Sequence, residues 1–169
     1  MSSLCQLSAI ALALIVLAAG PQQASAAQPM VRPVEKAVAF VAWEVPRTDP
    51  VVFDNGNIHT VYTQPIAAPI VRLEGQTRIT AITTYHWNNG KGADPGSIAL
   101  VDAHGRLYGP WASHGSPGQG GVQNAYWTVR PHLTLPAGSY IVIDSDLASW
   151  AHNEATGGAG MVHIEGRER

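Results

Sequence analysis

From residue 50 onward the chain is punctuated by turn-forming residues at nearly regular intervals. They are Asn55-Gly56, Pro65, Gly75, Asn89-Gly90, Asp94-Pro95-Gly96, His104-Gly105, Pro117-Gly118, Pro136-Ala137-Gly138 and Gly157-Gly158. Glycine and asparagine supply the positive φ that tight turns need, and proline fixes φ while removing a backbone donor, so no long helix survives such a stretch. The runs between them are short and rich in β-branched and aromatic residues. They predict strands over 51–54, 58–62, 70–73, 78–87, 97–102, 106–108, 125–130, 140–144 and 160–165. Many short strands at this spacing predict an all-β domain, an antiparallel β-sandwich with jelly-roll-like crossing connections. Asn55-Gly56 reads as a type I′ hairpin turn, and residues 111–123, rich in Gly and Ser, read as a long exposed loop.

The N-terminal part has a different character. Residues 9–20 form an apolar run closed by Pro21, and Ala24-Ser25-Ala26 offers small residues at the spacing a signal peptidase reads. We therefore expect a cleaved signal peptide over 1–26, a Pro-rich segment over 27–50 with one strand within 37–45, and the β-sandwich over 51–166. The location expected is secreted or periplasmic, with membrane contact only transiently through the signal. The single cysteine, Cys5, precedes the apolar run and would be lost on cleavage, which removes disulfides, thiolate metal sites and cysteine nucleophiles from consideration. A net charge of −2 with both signs dispersed offers no basic face, so nucleic acid is not an expected partner.

Four of the five tryptophans lie between residues 85 and 153, beside Asn, Asp and Gly. Period-two alternation along 78–87 puts Ile79, Ala81, Tyr85 and Trp87 on one apolar face and leaves His86 on the other, as a strand-surface residue. By the same rule Trp127 belongs to the core and Tyr126 to the surface. Trp111 and Trp150 escape the alternation. A flat aromatic flanked by amides suits a sugar, whose C–H face lies on the ring while amides bind its hydroxyls. Asn88, Asn89, Trp111, Tyr126 and Trp150 are therefore the expected ligand-binding residues, and a glycan or an extracellular protein the expected partner.

Asp144 and Asp146 stand two apart at the end of an apolar strand, so their carboxylates leave the same face. Two readings fit: a structural calcium held by hard oxygens, or capping of the following turn. No other cofactor is implied. The seven histidines include no HxH or HExxH pair, and Gly115-Ser116-Pro117-Gly118 is not a nucleophile elbow, so no catalytic residue is assigned. The elements Tyr85-His86-Trp87-Asn88-Asn89-Gly90, Gly109-Pro110-Trp111, Gly118-Gln119-Gly120-Gly121, Asn124-Ala125-Tyr126-Trp127, Leu135-Pro136-Ala137-Gly138-Ser139-Tyr140 and Asp144-Ser145-Asp146 resemble a module recurring in secreted bacterial proteins. That resemblance implies an all-β sandwich and no particular activity. The leading expectation is a non-catalytic module that binds a glycan or other polar ligand through its loops. The alternatives are a structural or protein-docking module, and a hydrolase using Asp144 or Asp146.

Overall fold

A computed structural model describes residues 49–169. The expected signal peptide and the strand expected within 37–45 lie outside the described residues. The described chain is all-β, with no α-helix among these residues. Its strands are β1 (Val51–Asp54), β2 (Tyr62–Thr63), β3 (Ile70–Leu73), β4 (Thr77–Tyr85), β5 (Ser97–Asp102), β6 (Leu107–Ala112), β7 (His114–Ser116), β8 (Tyr126–Val129), β9 (Leu133–Leu135), β10 (Gly138–Asp144), β11 (Ala151–His152) and β12 (Val162–Glu168).

Two antiparallel sheets carry the fold. One has the order β1-β12-β4-β8-β7, with β9 also paired to β4, and the other β3-β10-β5-β6; β11 and β2 form a small ribbon. The chain changes sheet between β3 and β4, between β4 and β5, between β6 and β7, and between β9 and β10. Side chains of both sheets meet in one buried cluster: Ile79, Ile82, Trp127 and Ile164 from the first, Val71, Leu100, Tyr140 and Val142 from the second. In β10 the alternation is complete, with Tyr140, Val142 and Asp144 buried and Ile141 and Ile143 exposed. The Tyr140 hydroxyl donates to the carbonyl of Pro136 at 2.9 Å, which ties the entry of β10 to the turn before it.

Three local expectations are corrected. Asn55-Gly56 makes no hairpin: β1 pairs with β12, and the Asn55 side chain accepts from Val162 N at 2.8 Å and donates to Gly160 O at 2.9 Å, so its amide extends the ladder. Residues 111–123 are not one open loop, because β6 runs through Trp111 to Ala112 and β7 follows at His114. His86 is fully buried and is not a strand-surface residue.

The His86 correction has a mechanical cause in β4. Its register with β12 slips between Glu165, opposite Ala81, and Gly166, opposite Ile79, leaving Thr80 as an extra residue. A bulge of this kind shifts the phase of the side chains beyond it. Thr77 and Ile79 are buried before the slip, and Ile82, Thr84 and His86 after it, so Thr83, Tyr85 and Trp87 turn outward. Gly166 permits the close crossing: a Cβ there would lie 2.6 Å from the carbonyl oxygen of Arg78.

Candidate functional site

The phase change gives the first sheet an outer face of unusual composition. One register row crosses it as Asp54, His163, Thr83, Thr128 and His114, and the next as Tyr85, Tyr126 and Ser116. The hydroxyls of Thr83 and Thr128 are 2.9 Å apart, and the rings of Tyr85 and Tyr126 lie side by side with centroids 5.0 Å apart and planes inclined by 31°. Burial, and secondarily the neighbouring Tyr126, raise the ionisation of the Tyr85 phenol above the usual phenol range, so Tyr85 is neutral at physiological pH.

Above this floor lies an open groove of about 990 Å³, walled by the segment from Asp54 to Val61 and by Asn89 and Gln119, with Trp87 and His163 also lining it. Its walls are held from within. The Asn57 and Asn153 side-chain amides exchange hydrogen bonds at 3.2 and 2.7 Å, and Asn57 Oδ1 also accepts the His59 amide at 3.1 Å. Asn153 in turn caps the short turn at Glu154–Thr156. On the opposite wall Asn88, Asn89 and Gly90 are all left-handed, and the Asn88 side chain donates to Gly92 O at 2.9 Å. The Asn-Asn-Gly turn thus presents Asn89 to the groove while Asn88 secures the turn. His163 Nδ1 lies 3.1 Å from Asp54 Oδ2, linking β12 to the start of the other wall.

The expected ligand residues separate accordingly. Tyr126 and Asn89 line the groove, and Asn88 stands behind it. Trp111 is on β6, opposite Ile98 in the other sheet, and packs against the core. Trp150 is buried, with its indole N–H donated to Met161 O at 2.9 Å and its ring laid so close to Gly160 that a Cβ there would come within 2.3 Å of it. Trp150 is closed to solvent, and Trp111 is half-buried on the sheet that does not carry the groove. The alternation rule also misplaced Trp87 and Tyr85, which it sent to the core. The signal available was the adjacent pair Ala81-Ile82, two consecutive apolar residues that break a period-two pattern, followed by Thr84 and His86 in the new phase.

Asp144 and Asp146 belong to a second, interior constellation. His86 Nδ1 is 2.8 Å from Ser149 Oγ and its Nε2 is 3.2 Å from Asp144 Oδ2, with Thr84 Oγ1 donating to the same carboxylate oxygen at 2.8 Å. Ser149 Oγ donates to Asp146 Oδ2 at 2.5 Å, while Asp144 Oδ1 and Asp146 Oδ1 accept the amides of Asp146 and Ala148. The imidazole is stacked on Trp127 at 3.7 Å with planes 17° apart.

Every oxygen of the two carboxylates therefore already receives a donor from the chain, which is the capping arrangement. Among the described residues no group of three or more His, Cys, Asp or Glu is disposed to hold a metal ion. Ser149, His86 and Asp144 have the makings of a hydrolytic triad in name only. All three are buried, and the serine hydroxyl is committed to Asp146.

No protein-family model matches the chain, and no curated protein and no solved structure matches it.

Proposed function

We propose that this is a secreted, non-catalytic binding module whose groove on the outer face of the first sheet takes a glycan or a chemically similar neutral, polyhydroxylated ligand. The observation that carries the reading is the Tyr85–Tyr126 platform, a pair of phenol rings at the floor of an open groove rimmed by amides and hydroxyls. Phenol rings offer apolar area at low entropic cost and keep a polar tip for hydrogen bonds. Asn89, Gln119 and the Thr83 hydroxyl stand where they can meet the hydroxyls of a ring seated on that platform.

The hydrolase alternative draws no support from Asp144 and Asp146, whose carboxylates are used inside the fold. A glycan-array screen of the purified protein, repeated with Tyr85→Ala, tests the proposal. Binding to a defined glycan class that disappears in the variant supports it, and absence of binding across the array counts against it.

A further inference from the structure

The outer face of the second sheet has the opposite chemistry. One register row crosses all four of its strands as Ile70, Ile141, Val101 and Leu107. Ile70 is 62% exposed, Leu107 53%, Ile143 43% and Ile141 39%. An antiparallel sheet with one face in water ordinarily carries polar residues on that face. Here β5 and β10 read Ile98-Ala99-Leu100-Val101 and Tyr140-Ile141-Val142-Ile143, apolar on both sides, as strands covered on both faces do. Arg72, at the edge on β3, is the one charged residue at the outward positions of these strands.

We propose that this face is a self-association surface on which a second copy of the chain docks, outer sheet against outer sheet. The exposed fractions amount to on the order of 400 Å² of contiguous apolar surface, within the range that marks an interaction site on a monomer. A stable interface buries about 800 Å² per partner, a little over half of it apolar, so the row with its polar surroundings supplies what one side of a dimer needs. The row is also suited to a two-fold axis. Its two inner members, Ile141 and Val101, and its two outer members, Ile70 and Leu107, are apolar branched side chains of similar size, so reversing the row places like on like. Charge is missing from the middle of the patch, where it would oppose self-stacking. Docking here leaves the groove free, because the groove belongs to the other sheet, and a dimer would present two grooves.

Sedimentation equilibrium of the purified protein over a wide concentration range, alongside Ile141→Lys, Leu107→Lys and the control Ile66→Lys, tests the proposal. Ile66 is exposed but lies outside this sheet. The expected result is a concentration-dependent dimer whose dissociation constant rises more than about thirtyfold in either sheet variant and is unchanged in the control. Near-ultraviolet circular dichroism shows whether each variant is folded. Should Ile141→Lys fail to fold, Ile141→Ser gives the same comparison. A protein that is monomeric throughout the range, because its own N-terminal residues or another protein cover the face, overturns the proposal. So does a dimer that persists in both folded sheet variants.

Discussion

At the scale of single residues, the central feature is a polar network built inside an apolar core. Burying His86 against Asp144 removes both from water, and the arrangement holds because Thr84, Ser149 and two backbone amides complete the hydrogen bonding. Removing one partner strands the other. Asp144→Asn or His86→Ala is expected to cost about 3–5 kcal/mol of stability, read as a lower urea midpoint with an unchanged slope. The carboxylate geometry also bears on calcium. With each oxygen of Asp144 and Asp146 already accepting from the chain, a cation would have to displace those donors. The melting temperature is therefore expected to be the same in EDTA and in excess calcium; a rise with calcium would restore the metal reading of the Asp pair.

At the scale of elements, the strands most legible in the sequence are those bounded on both sides by turn residues. β1, β3 and β5 have the expected limits because Pro50, Pro69, Gly75 and Gly96 close them, and their runs are strongly β-branched. β7 and β9 were not legible, since His114-Gly115-Ser116 and Leu133-Thr134-Leu135 are too short to display a period and exist through pairing with β8 and β4. β4 is the most instructive case. Its existence was plain, but its facing could not be read by simple alternation, because Thr80 inserts one residue into the ladder and reverses every side chain beyond it. The same slip creates the site, since it turns Tyr85 and Trp87 outward and sends His86 inward. Deleting Thr80 would join the two halves of the ladder without a bulge and keep Ile79, Ile82, Thr84 and His86 on the inner face, since each already stands on that side of its partner in β12 or beyond it. Such a variant is predicted to retain its cooperative unfolding transition, whereas inserting one residue after Ile82, which sends His86 outward and Tyr85 into the core, is predicted to lose it.

At the scale of the whole molecule, the all-β class with antiparallel strands followed from the turn punctuation, while the site did not. Tyr126 and Asn89 were recognisable because one stands on the polar phase of a strand and the other in an Asn-Asn-Gly turn. Trp111 and Trp150 looked equally suited in sequence, but Trp150 is buried and Trp111 is half-buried against the core, through contacts from other strands and turns that the local pattern does not display. The molecule that results has two unlike outer faces: a polar, aromatic one bearing the groove, and an apolar one bearing the Ile70–Leu107 row. The most direct measurement of the binding account is a calorimetric titration of the best array ligand into the protein, Tyr126→Ala and Trp111→Ala, with each variant's fold confirmed. The account predicts that Tyr126→Ala weakens binding by at least about tenfold and that Trp111→Ala, on the other sheet, leaves affinity unchanged. Equal binding by Tyr126→Ala, or a loss confined to Trp111→Ala, would contradict it.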